Sequence, residues 1–438
     1  MSTAITTEPP AFPTAPPPEF GPVAKVDRLV NLDFTRGMAL LGILLVNATV
    51  FFGPLAALTD PSYHAALSPA DRVTSLVGLT LWQGKFMTIF SMLFGYGLLG
   101  QFERADAAGR GAVGFAFRRL LPLMLFGLIH GLAVWFGDIL FFYSVMGFWL
   151  LLARRARART LVAVGLALVL FSVALAVGLA GLGTLAVGAA AERPRAPDTG
   201  LRGWSAVEAS RGDPTSPAWI AGETAAYRDG PWADAQVFRT LEWVANVVFM
   251  LLCFGWLSLG MMFLGGALWR VKFFAPEQRR LRLRVLAVCL PTGLAIEAIA
   301  AWLLWPYPPP NPRDMLVGQV MQEAGLLFLP LGYLALFAVL GETLPDWLRG
   351  PVASAGRMSL TVYLSESFVA TALAYHWGFR LFGRVGAFHQ ALVALAIWLT
   401  LVVLSHLWLQ RFRQGPMEWL WRRLEYGRAA ARMSEPHG

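Results

Sequence analysis

The most regular feature of the chain is a series of long apolar runs separated by short polar connections. A helix needs about 20 apolar residues to cross a hydrocarbon core of roughly 30 Å, and most runs have that length. The runs are continuous rather than alternating, which is not the pattern of a transmembrane β-barrel. The sequence therefore predicts an all-α, polytopic helical bundle with about ten spans, at about 34–53, 80–100, 118–136, 139–153, 160–190, 241–269, 284–305, 315–341, 357–376 and 387–410.

Two of these spans have unusual connections. The third and fourth are separated only by Gly137 and Asp138, which predicts a very tight hairpin at the outer surface. The fifth run is longer than one crossing needs, so its helix either tilts or continues beyond the membrane.

Composition and charge support a membrane protein and predict its orientation. Only 14% of the 438 residues are charged, whereas soluble chains average about 25%. The net charge of +9 comes from basic residues between the apolar runs, so it indicates topology rather than a nucleic-acid partner. Ten spans place every basic connection on one side, the cytoplasm, together with both termini. These connections contain Arg104, Arg110, Arg118 and Arg119; Arg154, Arg155, Arg157 and Arg159; Arg270, Lys272, Arg279, Arg280, Arg282 and Arg284; and Arg349 and Arg357.

The chain divides into two membrane halves, at 25–190 and 240–426, with five spans each. Residues 1–24 are rich in proline and predict a disordered cytoplasmic tail. Residues 191–239 form a hydrophilic extracytoplasmic loop in this topology, and 427–438 a second cytoplasmic tail. Cys253 and Cys289 lie inside apolar runs and are expected to pack rather than to pair.

Polar residues within the spans fall mostly in their outer halves. Such groups are costly in lipid, so they normally face the interior of the bundle and often mark a functional site. One interpretation is a polar cavity open to the outside, and the other is a set of unrelated hydrogen bonds between helices. The residues are Asn47, Gln83, Lys85, His130, Asp138, Glu242, Glu297, Gln322, Glu323, Glu366 and His376.

His130 and Asp138 are eight residues apart, about two helical turns, so they could share one face. An acidic partner fixes the tautomer of an imidazole and raises its basicity, as general-base catalysis requires. A lone histidine on an apolar helix is otherwise a packing residue. The sequence has no motif typical of a metal site or of ATP binding, so we expect no bound metal and no tightly bound cofactor.

Several segments resemble the YeiB-like family of bacterial membrane proteins, which carries the domain of unknown function 418. They are NLDFTRGMALLGILLVN (31–47), FMTIFSMLFGYG (86–97), HGLAVWFGDIL (130–140), GRMSLTVYL (356–364) and RQGPMEWLWR (413–422). The resemblance covers about residues 25–426 and implies a multi-pass protein of the bacterial inner membrane.

The opening of this family is similar to that of membrane acyltransferases that modify glycans, including relatives of the lysosomal heparan-α-glucosaminide N-acetyltransferase and the third family of surface-polysaccharide acyltransferases. The matching residues here are Leu32, Asp33, Arg36, Gly37, Val46 and Asn47. The resemblance implies acyl-CoA as the donor and a glycan or small molecule as the acceptor. The third acyltransferase family has a histidine eleven residues after the arginine, where this chain has Asn47. A base would then be His130 or, as a weaker candidate, His64.

These observations leave three hypotheses open. In an acyltransferase, Arg36, Arg118 and Arg119 would bind the CoA phosphates at the inner face. His130, oriented by Asp138, would be the base, and Asn47 or Lys85 would stabilise the oxyanion, with Glu366 and His376 near the substrate. In a secondary transporter, Glu297, Glu323 and Glu366 would couple to protons. In an envelope scaffold, the polar residues would only join helices, and the oligomeric state is open in all three.

Overall fold

The computed structural model describes residues 29–56, 67–190, 201–305, 309 and 311–426. The regular structure in these ranges is helical, which confirms the predicted all-α bundle. We number the α-helices α1 (Val30–Phe51), α2 (Pro69–Leu81), α3 (Lys85–Ala107), α4 (Ala112–Ala133), α5 (Leu140–Leu152), α6 (Ala158–Ala190), α7 (Gly203–Ala209), α8 (Pro217–Asp229), α9 (Trp232–Phe249), α10 (Gly255–Arg270), α11 (Arg279–Leu304), α12 (Pro312–Thr343), α13 (Asp346–Arg357), α14 (Ser359–Ala374), α15 (Ala387–Arg411) and α16 (Pro416–Tyr426).

Each of the ten predicted runs falls on a helix, but the helices differ in length. Within the described residues, eight segments are long and apolar enough to cross a membrane. The other two runs form the shorter apolar helices α5 and α14, of 13 and 16 residues. At 1.5 Å per residue these rise only about 20 and about 24 Å.

The basic connections gather at one end of the bundle, which we call the basic face. Ion pairs at this end join different helices, including α3 with the end of α5 and with α10, and α11 with α12. Because the ends of α3 and α5 meet, the α4–α5 hairpin runs away from the basic face and returns to it. The pairs are Asp106–Arg154, Glu103–Arg270, Arg282–Glu342 and Arg119–Glu425.

Helices α3 and α10 pack closely because glycine lies at their contact. A Cβ at Gly95 would lie 2.1 Å from the carbonyl oxygen of Met262, and one at Gly265 would lie 1.9 Å from that of Met92. Small residues of this kind allow membrane helices to approach backbone to backbone. The two helices therefore form a firm wall beside the site described below.

Two spans that the sequence predicted as simple helices are interrupted. The predicted span 80–100 contains the break between α2 and α3, where Gly84 has a φ of +80°. The predicted span 241–269 contains a π-helical turn at Met250–Phe254 between α9 and α10. Insertions of this type in α-helices are frequent at functional sites.

The described part of the predicted outer loop, residues 201–239, is largely helical and contains α7, α8 and the first turns of α9. The short helices α13 and α16, which hydropathy did not predict, precede α14 and follow α15 at the basic face. The predictions for 1–24, 191–200 and 427–438, and the one for His64, lie outside the described residues.

The topology is testable with two alanines at helix ends. Ala107 ends α3 at the basic face, and Ala209 ends α7 beyond the opposite end of α6; both are exposed. The positive-inside rule puts the basic face in the cytoplasm. With Cys253 and Cys289 replaced by alanine, we expect a membrane-impermeant maleimide to label Ala209→Cys in intact cells, and Ala107→Cys only after permeabilisation. The reverse order of labelling would contradict the assigned orientation.

Candidate functional site

The turn between α4 and α5 lies inside the bundle. Helix α4 ends at Ala133 and α5 begins at Leu140, so the connection is six residues long rather than the two predicted. The 13 residues of α5 rise only about 20 Å from the basic face. Asp138 therefore lies within the thickness of a roughly 30 Å core and not at the outer surface, as its hairpin position had suggested.

Side chains of α9 satisfy the backbone of this turn. Gln236 donates to the carbonyl of Leu132 at 2.9 Å. Arg239 donates to Ala133 at 3.3 Å, and Asn246 reaches the carbonyl of Phe136 at 3.4 Å. Irregular backbone at membrane depth is tolerated only where protein or water satisfies it. Helix α9 thus covers the turn from the outer side.

His130 and Asp138 form a buried pair across the turn. Nδ1 of His130 lies 2.8 Å from Oδ2 of Asp138, and their relative exposures are 3% and 2%. The other carboxylate oxygen accepts the backbone N–H of Phe141 at 2.8 Å and so caps α5. The pair forms because the chain folds back after α4, and not along one continuous helix as the spacing had suggested.

The second ring nitrogen of His130, Nε2, is the atom of this pair that can act as a base. An Nδ1–H that donates to Asp138 leaves a lone pair on Nε2, which is the arrangement of a general base. Within the described residues, Nε2 is buried and has no hydrogen-bond partner. Buried polar atoms are normally satisfied, so an unpaired one is a candidate contact for a substrate.

A cavity of about 890 Å³ opens at the basic face and runs toward this pair. Helix α3 lines it from Arg104 to Phe90, a rise of about 21 Å. Its deep part is mostly apolar and aromatic, with Ile43, Phe90, Phe94, Leu123, Leu140, Tyr143 and Tyr363. The part near its mouth, at the basic face, carries Arg36, Arg104, Arg119, Arg270, Lys272, Arg357 and Arg422.

Tyr363 connects the cavity to the histidine. Tyr363 and Ile139 line the cavity, and the Tyr363 ring centroid lies 5.3 Å from that of His130. The N–H of Ile139 reaches the Tyr363 hydroxyl at 3.4 Å. The predicted cavity was open to the outside, whereas this one opens at the opposite, basic face. The helices α5 and α14 are too short to cross a core of roughly 30 Å. The turn between α4 and α5 therefore lies inside the bundle, close to a cavity that opens at the basic face.

The predicted phosphate-binding arginines do not all face the cavity. Arg36, which pairs with Asp33 at 3.2 Å, and Arg119 both line it. Arg118 is exposed and lies outside the lining, because consecutive helical residues point about 100° apart. Asn47 is partly exposed on α1, one turn beyond Ile43, and is also outside the lining.

Lys85 belongs to a separate cluster at the break between α2 and α3. Its ammonium lies 2.8 Å from Glu297, with both side chains fully buried, and donates to the carbonyl of Leu79 at 2.7 Å. Glu323 lies close enough to act electrostatically on both charges. The expected role of Lys85 as an oxyanion donor beside His130 is not supported, because its ammonium is already bound to Glu297 and to the Leu79 carbonyl.

Glu242 and His376 belong to a third cluster, on the outer side of the turn. It also contains residues that the sequence did not indicate. Tyr227 donates to Glu242 at 2.9 Å and stacks on Tyr375 with 4.6 Å between ring centroids. Burial raises the pKa of Glu223 well above its ordinary value, and the Glu242 carboxylate raises it further. The backbone N–H of His376 donates to the Tyr227 carbonyl at 2.7 Å. The predicted outer residues thus divide among several clusters rather than lining one cavity.

Glu366 is the remaining predicted site residue and is also buried. It is 2% exposed and sits one turn after Tyr363 on α14, and neither carboxyl oxygen has a partner within the described residues. Asp138 and Glu366 both lie close enough to Tyr363 to interact with it electrostatically. Tyr363 is an aromatic residue in an apolar helix, so nothing in the sequence distinguished it from a packing residue.

The raised pKa of Glu223 predicts a pH-dependent stability. A carboxyl group whose pKa is higher in the folded state binds more protons there, so the free energy of unfolding falls as pH rises above the ordinary pKa of 4.5. The slope is at most about 1.4 kcal/mol per pH unit. We expect the melting temperature to fall as the pH rises above about 5, and to fall less in Glu223→Gln. The exposed Glu208→Gln should keep the wild-type slope, and equal slopes in both variants would contradict the assignment.

Comparisons with known proteins extend the resemblance seen in the sequence. A family model described as Protein of unknown function (DUF418) matches residues 268–428. The chain is 32% identical over 423 residues to the Uncharacterized protein YeiB of Escherichia coli (strain K12), covering 94% of this chain and 99% of the relative. It is 29% identical over 413 residues to the Uncharacterized protein YxaH of Bacillus subtilis (strain 168), covering 92% and 96%. No solved structure matches. Because the likeness to YeiB extends over nearly all of both chains, this chain belongs to the YeiB-like family.

Proposed function

We propose that the protein is a membrane-bound acyltransferase that takes an acyl group from cytoplasmic acyl-CoA and transfers it to a hydroxyl or amine acceptor at His130. The observation that carries the proposal is the continuity of the site. One cavity leads from seven basic side chains at its mouth to Tyr363 and Ile139, directly beside the His130–Asp138 pair.

The polarity of the cavity suits this donor. The phosphates of acyl-CoA need cations, and arginine binds them through several hydrogen bonds at once. The pantetheine arm and the acyl group are far less polar and suit the aromatic and aliphatic deep part. Bound in this direction, the thioester would lie about 20 Å from the mouth, near Tyr363.

The chemistry at the inner end needs a base and an oxyanion donor. Nε2 of His130 would take the proton from the acceptor O–H or N–H as the acceptor attacks the thioester carbonyl. Collapse of the tetrahedral intermediate breaks the C–S bond, and the same proton passes to the leaving thiolate. Tyr363 would donate its O–H to the oxyanion, a role for which its position suits it better than those of Asn47 and Lys85.

Binding of acetyl-CoA tests the donor half of the proposal, with two arginines as a matched pair. Charge-assisted hydrogen bonds contribute about 1.5–3 kcal/mol, so Arg36→Gln should weaken binding by roughly 10- to 100-fold. Arg118→Gln, at an exposed position outside the lining, should change it by less than about twofold. Calorimetry on detergent-solubilised protein measures both, and the wild-type affinity should fall as salt is raised.

Folded protein that bound neither acetyl-CoA nor a longer acyl-CoA would contradict the proposal. Secondary transport would then be favoured, and its supporting observation is the fully buried Lys85–Glu297 pair at a helix break.

Replacing the base tests the chemical half. Removing a general base lowers a rate by about 10²- to 10⁴-fold, so His130→Ala should reduce transfer of radiolabelled acetyl from acetyl-CoA into membrane glycan and lipid extracts by at least about 100-fold. Binding of acetyl-CoA should remain, because His130 is not among the side chains that line the donor cavity. The exposed His389→Ala is the control and should retain activity. Transfer that is unchanged in folded His130→Ala protein would contradict the role of this histidine.

A further inference from the structure

Helix α16 lies across the mouth of the cavity. Glu418, Trp421, Arg422 and Glu425 all belong to the cavity lining, although they come from one short helix at the C-terminal end of the described chain. A ligand that binds among the basic side chains at the mouth therefore lies next to this helix.

The C-terminal half of α16 is attached to Arg119. Nη1 of Arg119 donates to both oxygens of Glu425, at 2.9 and 3.1 Å, and the guanidinium lies 4.1 Å from the centre of the Trp421 ring. The indole N–H of Trp421 donates to the Arg119 carbonyl at 2.9 Å. Glu425 is 2% exposed, so this contact is a built feature of the fold and not a loose surface ion pair.

The N-terminal half of α16 is held independently. The Glu418 carboxylate accepts the backbone N–H groups of Leu360 and Thr361 at 2.7 and 3.1 Å, and the Thr361 hydroxyl at 2.6 Å. These bonds cap the first turn of α14. The two ends of α16 are therefore attached separately. Only the attachment at its C-terminal end forms an ion pair with a cation that lines the cavity.

We propose that Glu425 is an internal anion that holds a phosphate-binding position on Arg119, and that α16 is a strap which opens when a ligand phosphate displaces it. This inference rests on the proposed function, since it assigns the phosphate to acyl-CoA. A phosphate monoester carries more charge than a carboxylate and also accepts hydrogen bonds from a guanidinium. When Glu425 leaves, the bonds of Glu418 keep α16 attached at its other end.

The test uses coenzyme A as the probe, with full-length protein in detergent. Glu425→Gln removes the competing charge, so its affinity for coenzyme A should increase by about tenfold or more over wild type. Hydrogen–deuterium exchange of residues 419–426 should be faster in this variant without ligand, and in wild type it should become faster when coenzyme A is added. Arg423→Gln, an exposed position on the same helix, should change neither quantity.

A second variant separates competition from loosening. Trp421→Phe removes the bond to the Arg119 carbonyl but leaves the Glu425 charge in place, so exchange should increase with less gain in affinity than Glu425→Gln gives. If folded protein binds coenzyme A but α16 becomes more protected, or if Glu425→Gln binds it more weakly, the strap is overturned and the proposed function stands. If neither wild type nor Glu425→Gln binds coenzyme A, both proposals are overturned.

Discussion

A turn of the backbone inside a membrane bundle must find its hydrogen bonds within the protein, and the candidate site depends on one such turn between α4 and α5. Asp138 caps α5 with one oxygen and holds His130 with the other. Gln236 and Arg239 of α9 satisfy the carbonyls at the end of α4. The turn therefore stabilises two helix ends, covers the site from the outer side and orients the imidazole.

Charge is distributed differently in the cavity and in the buried cluster at the α2–α3 break. Toward the basic face the cavity has an excess of cations, although Asp33, Glu103, Glu418 and Glu425 offset part of it. Away from the cavity, at the α2–α3 break, a basic group is packed against a carboxyl group in the Lys85–Glu297 pair. An excess of cations facing an accessible cavity attracts an anionic ligand, whereas a buried neutral pair does not. This contrast supports a donor that arrives from the cytoplasm.

The sequence predicted the helical architecture well, because apolar length is a direct requirement of the bilayer. It predicted the site less well, since the facing of a residue depends on helix rotation. Arg118 and Arg119 are adjacent, yet only Arg119 lines the cavity. Asp138 was expected at the outer surface, because hydropathy cannot show that α9 covers the turn. Tyr363 and Glu425 are brought to the site by tertiary packing alone.

In the proposed function, the thioester of a bound acyl-CoA reaches the His130–Asp138 pair from the basic face. An acyl-CoA with a photoreactive diazirine in its acyl group measures this directly, by cross-linking followed by peptide mass spectrometry. We expect labels on Ile139, Tyr143 or Tyr363, and their loss when unlabelled acetyl-CoA competes. Competed labels on Tyr227 or Tyr375 instead, in the cluster beyond the turn, would contradict it.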